Sequence, residues 1–119
     1  MRFGLTREDL DYLCKAFSAI PEIEEVVIFG SRAMNTHRRG SDVDLAIKGK
    51  MLDPATVAHL RFILEEELPL PYFFDVVDYS TIRNTNLKAH IDRHGEIVYR
   101  KGAGETTRRL REDDQAPLG

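Results

Sequence analysis

Three aspartates, Asp42, Asp44 and Asp75, read as one metal site. Asp42 and Asp44 stand at alternate positions of Ser41-Asp42-Val43-Asp44-Leu45. Alternate side chains of a strand point to the same face, so the two carboxylates can aim at a common point while Val43, Leu45 and Ile47 face a core. Adjacent carboxylates repel and raise one another's pKa unless a cation neutralises them. A hard divalent ion such as Mg²⁺ does so, held by a few carboxylates together with the phosphates of a nucleotide. Asp75 lies on a later apolar segment and supplies the third acid. Upstream, Gly30-Ser31 follows an unbroken apolar run, Val26 to Phe29. Glycine permits close backbone approach, and serine can donate its hydroxyl and N–H to a phosphate. Together these groups suit holding the phosphates of a nucleotide through a divalent ion.

Short apolar segments must position these residues. Glu25–Phe29, Asp42–Lys48, Tyr72–Tyr79 and Glu96–Arg100 read as strands, the first apolar throughout as if covered on both faces. Thr6 caps a first helix whose Leu10, Leu13, Cys14 and Phe17 recur at 3–4 spacing and which ends near Pro21. A brief helix begins at Arg32 and gives way to a polar loop, Asn35 to Gly40. Asp53-Pro54 opens another helix, with Val57, Leu60, Leu64 and Leu68 inward and a stop at Pro69. Asn84 to His94 forms the last helix, with Leu87 and Ile91 inward and Gly95 as its C-terminal cap. The sum is α+β: a small mixed β-sheet with helices packed mainly on one face. Residues 1–101 make one domain, and 102–119 read as a polar, flexible tail.

At 119 residues, with 42% hydrophobic and 31% charged residues, this is an ordinary globular composition. A net charge of −3 argues against gripping nucleic acid by bulk electrostatics, and no sequence-specific nucleic-acid binding is expected. No membrane span or signal segment is apparent, and the single cysteine allows no internal disulfide, so a cytoplasmic protein is expected. His90 and His94 have zinc-compatible spacing without an evident third ligand, and read as surface residues favoured by a helix C-terminus. Cys14 reads as a packed structural thiol. Tyr72, Phe73 and Phe74 read as core packing of the third strand, and Asp78 as a surface or capping residue.

Gly30-Ser31-Arg32-Ala33, Ser41-Asp42-Val43-Asp44-Leu45, Phe74-Asp75-Val76-Val77-Asp78 and Ile97-Val98-Tyr99 together resemble the signature of the DNA-polymerase-β-like nucleotidyltransferases. Within that superfamily the wording is similar to the minimal nucleotidyltransferases (MNT, MntA-like antitoxins), over about residues 6 to 100. The resemblance implies a polymerase β palm-like nucleotidyltransferase fold. It implies that Asp42 and Asp44 bridge two Mg²⁺ ions, and that Asp75 completes the attacking-side ion and can accept the hydroxyl proton. Gly30, Ser31 and Arg32 would hold the ATP phosphates, Arg32 as a charge clamp; Arg38 and Arg39 read equally well as solvated loop residues. The larger enzymes append a helical domain for the acceptor, so most of an acceptor site is expected from a second copy, a partner protein or the acceptor itself. The implied activity is Mg²⁺-dependent transfer of AMP from ATP onto a tyrosine of a HEPN-domain ribonuclease toxin, within a hetero-oligomer. The alternative is an antitoxin that neutralises its partner by occlusion alone. Transfer to a small molecule such as an aminoglycoside is a weaker third reading.

Overall fold

The computed structural model describes residues 2–102. Helix α1 (Arg7–Ser18) opens with a capping box: Thr6 Oγ accepts the Asp9 N–H and Asp9 accepts the Thr6 N–H, both at 3.0 Å. Such reciprocal bonds satisfy two of the donors that a helix start leaves orphaned. Strand β1 (Glu25–Phe29) runs into the single turn α2 (Gly30–Ala33), and β2 (Val43–Lys48) follows the polar loop. Helix α3 (Pro54–Phe62) is capped by Asp53, which accepts the Thr56 N–H at 2.7 Å. It widens over Ile63–Glu67 into a π turn, with Leu68 N–H bonded to Ile63 O. Leu68 then leaves in extended conformation, as a residue before proline must. Strand β3 (Phe74–Asp78), helix α4 (Thr85–His94) and strand β4 (Glu96–Arg100) complete the order.

The four strands lie in the order β3-β2-β1-β4, with β2–β3 parallel and the other two pairings antiparallel. This is a mixed sheet, as expected. Period-2 alternation sends Val26, Ile28, Val43, Leu45, Ile47, Phe74 and Val76 to one face. There they join Leu13, Phe17, Leu60 and Leu64 of α1, α3 and the π turn in the main core. The intervening residues Val27, Phe29 and Ala46 face the other way and pack a smaller cluster against Ile91 of α4. Two helices therefore cover one face and α4 covers part of the other. The exposed edge of β3 is blunted, since Arg61 Nη2 donates to Val76 O at 2.9 Å and Glu65 accepts the Phe74 N–H.

Gly95 caps the C-terminus of α4 as expected, in extended conformation (φ −66°, ψ 150°) with its N–H on Ile91 O. Glycine is required there because a Cβ would crowd Ile91 O and the Val27 side chain. Other expectations need correction. Of the aromatic triplet only Phe74 is core; Phe73 is 75% exposed, and Tyr72 is half-buried with its hydroxyl on Asp9 at 2.8 Å. The third strand is shorter than read, because Tyr72 and Phe73 precede it. Asp78 is a capping residue as expected, accepting the Ser80 N–H at 3.0 Å. The tail from 103 onward lies outside the described residues.

Candidate active site

The β2–β3 register places Asp44 directly opposite Asp75, and the β1–β2 register places Phe29 opposite Asp44. Neighbouring strands are ~4.8 Å apart, so the two carboxylates stand side by side on the face that α4 partly covers. Asp42 precedes β2 by one residue, next to the strand entry fixed by Val43 N–H on Phe73 O at 2.9 Å. Gly30, the residue that follows β1, lies on the same side against Asp44. The sheet thus gathers Gly30, Ser31, Asp42, Asp44 and Asp75 at one end of one face.

Asp44 is half-buried, while Asp42 and Asp75 are exposed. Burial pushes the Asp44 carboxyl up to about 6, and the negative charges of Asp75 and Asp42 push in the same direction. The Arg32 guanidinium opposes them and does not prevail. Hard carboxylate oxygens that repel one another in this way suit a hard divalent cation. The acids do not form a closed cage: among the described residues no three His, Cys, Asp or Glu side chains converge tightly enough to hold an ion. An ion at this end would draw its remaining ligands from water and phosphate, as Mg²⁺ commonly does.

Gly30 sits at φ +74°, and a Cβ built on it would collide with Asp44 Oδ2. Both facts demand glycine. We expect Gly30→Ala to cost about 2 kcal/mol, from the left-handed backbone and the crowded carboxylate together. It should also slow any chemistry that uses Asp44 by on the order of 100-fold. Thermal unfolding and a rate assay check the two parts separately. Ser31 is half-buried beside it, and its carbonyl accepts the Thr36 N–H at 2.8 Å, which holds the turn closed.

Arg32, expected as a phosphate clamp, turns inward in this structure. It is 3% exposed, and its guanidinium is spent on backbone carbonyls. Nη1 donates to Phe3 O at 2.8 Å, Nη2 to Ser41 O at 2.8 Å, and Nε to Ser41 O and Asp42 O at 3.2 and 3.3 Å. The plane lies over the Tyr72 ring, 5.1 Å from its centroid. Arg32 therefore braces the loop that carries Asp42 and acts on Asp44 only through its field. Arg38 and Arg39 are exposed.

His90 was missed as a neighbour of this site. It is half-buried, and its Nε2 accepts the Gly30 N–H at 2.9 Å. Its spacing from Leu87 puts it at the edge of the inward stripe of α4, which was a usable signal for burial. Its partner lies sixty residues earlier, and nothing local announces that pairing. His94 is exposed, as expected.

The polymerase β nucleotidyltransferase family model (Polymerase beta, Nucleotidyltransferase) matches residues 12–103. No curated protein matches the chain. Among solved structures, a toxin–antitoxin crystallised with AMP-PNP is 21% identical at a TM-score of 0.66, covering 92% of this chain and 95% of that one. The MntA–HepT toxin–antitoxin is 18% identical at 0.62, covering 95% and 96%. A structure of the tri-AMPylated Shewanella oneidensis HEPN toxin in complex with MNT antitoxin is 19% identical at 0.59, covering 92% of each chain. At these identities the likeness establishes the fold. With a family match over most of its length, and the acids and glycine of the motif gathered at one sheet end, the chain belongs to the polymerase β nucleotidyltransferase family.

Proposed function

We propose that this protein transfers AMP from ATP to a hydroxyl of a partner protein, a tyrosine of a HEPN-domain toxin, and so acts as an antitoxin. The observation that carries the reading is the pairing of Asp44 with Asp75 in register beneath Gly30, with Asp44 held up to about 6 by burial and then by its acidic neighbours. The partner class is supported by the structural neighbours, one a toxin–antitoxin with AMP-PNP and another a complex containing a tri-AMPylated toxin. Their near-complete coverage means that an antitoxin chain of this size accounts for the same fold.

In the transfer, an acceptor oxygen attacks the α-phosphorus, the bond to the bridging oxygen of the β-phosphate breaks, and pyrophosphate leaves. Asp75, exposed and on the edge strand, accepts the hydroxyl proton. Asp42, Asp44 and Asp75 would hold Mg²⁺, which when bound supplies positive charge to the attacking and leaving oxygens. Gly30 lets the triphosphate approach the backbone, and the Ser31 hydroxyl donates to a phosphate oxygen.

Incubation with ATP labelled at the α-phosphate, Mg²⁺ and a HEPN-domain toxin should label that toxin. The label should vanish when magnesium is chelated. Absence of label with every nucleoside triphosphate would sink the reading. If the variant with Asp42, Asp44 and Asp75 all changed to alanine still neutralised the toxin as wild type does, occlusion would replace catalysis as the explanation.

A further inference from the structure

The peptide that joins Phe29 to Gly30 is held at three points. Phe29 is locked in the β1–β2 register opposite Asp44, Gly30 adopts φ +74°, and the Gly30 N–H is bound by His90 Nε2 at 2.9 Å. The first two points do not by themselves fix the third, because glycine has the widest backbone freedom of any residue. A peptide with no acceptor for its N–H would rotate to find one. His90 supplies that acceptor from α4, and the ring is itself fixed edge-on to Phe29, 6.2 Å between centroids at 75°. Acceptance at Nε2 assigns the ring proton to Nδ1. Gly30 is followed by Ser31, whose orientation follows from that of Gly30.

We infer that His90 is a positioning residue for the donor triphosphate: it sets the Gly30–Ser31 turn in the orientation that receives phosphate. The inference rests on the nucleotidyl-transfer reading above. His90 does not touch the carboxylates through any hydrogen bond among the described residues; those are held by β2 and β3. Its loss should therefore weaken capture of the triphosphate while leaving the reacting groups in place. A hydrogen bond that only tied α4 to the sheet would change melting temperature and nothing else.

The test compares His90→Leu with His90→Gln in the full chain, using AMP-PNP with Mg²⁺ in a calorimetric titration and steady-state transfer to the HEPN protein. His90→Leu should weaken AMP-PNP binding and raise KM for ATP about tenfold, with kcat within about threefold of wild type. Glutamine carries an acceptor at nearly the distance of Nε2 and should restore both to within about threefold. In ¹⁵N spectra the Gly30 amide should move in the leucine variant and return in the glutamine variant. Should leucine fail to fold, His90→Asn, one methylene short of the turn, replaces it in the same comparison. A leucine or asparagine variant that binds AMP-PNP and uses ATP as wild type does overturns the inference alone. Wild type that binds no AMP-PNP and transfers nothing overturns the functional reading with it.

Discussion

Replacing Asp44 by asparagine should reduce AMP transfer on the order of 10³-fold or more while making the fold more stable at neutral pH. The two effects have one source. Asp44 is half-buried beside Asp75 and near Asp42, and its carboxyl titrates at about 6 rather than 3.8. Between those values the folded chain binds more protons at this site than the unfolded chain. Stability therefore falls as pH rises from about 4 to about 6, and the penalty is complete above that window. Unscreened, the gap is worth about 3 kcal/mol; the partial exposure of Asp44 discounts it to about 1–2 kcal/mol. Asparagine is uncharged and nearly isosteric, so the variant should gain about 1 kcal/mol at pH 7, a few degrees in Tm, and the gain should vanish below pH 4.

Melting curves at pH 4 and pH 7, with and without Mg²⁺, check this prediction. Magnesium should raise the Tm of wild type at pH 7, since a ligand that binds only the folded state stabilises it, and should leave the variant nearly unmoved. Magnesium binding, and with it transfer at low magnesium, should decline as pH falls through about 6, where Asp44 takes up its proton. An asparagine variant that transfers AMP at the wild-type rate would remove Asp44 from the chemistry. One that melts below wild type at pH 7 would remove the repulsion argument.

What could be read from the sequence was local. Thr6 and Asp53 cap their helices as read, because each side chain bonds an N–H three residues ahead. Alternation in Val43-Asp44-Leu45 sends Val43 and Leu45 to the main core and Asp44 to the other face, as observed. Gly30 betrayed its turn because glycine takes that left-handed backbone at the least cost. What resisted reading was set by distant partners. Arg32 follows the family wording for a surface cation, yet carbonyls from Phe3 and Ser41 draw it inward. Nothing in Asn-Leu-Lys-Ala-His tells that His90 meets a glycine on another element. Phe73 belongs to an apolar triplet, and only the point at which β3 begins decides that it faces solvent.

Arg32→Ala should be the most destabilising single change at the site, at about 3 kcal/mol, or a drop in Tm on the order of 15 °C. One planar guanidinium satisfies carbonyls of Phe3, Ser41 and Asp42, which belong to two separate chain segments. Alanine leaves those acceptors short of donors in a place where the side chain was 3% exposed. Phe3 also holds φ 58°, uncommon for a bulky residue, and its carbonyl is the one that Nη1 grips. Lysine keeps the charge but replaces the fork by a single ammonium on a flexible stem, so Arg32→Lys should lose most of the same stability. The two variants separate where the field matters. Arg32 lowers the Asp44 titration against the pull of burial, so alanine should shift the acid limb of transfer above about 6, while lysine should shift it less. Denaturant melts and a pH–rate profile of both proteins check these expectations. If Arg32→Ala kept wild-type stability but lost affinity for ATP, the guanidinium would belong to the triphosphate after all, and the loop bearing Asp42 would need another brace.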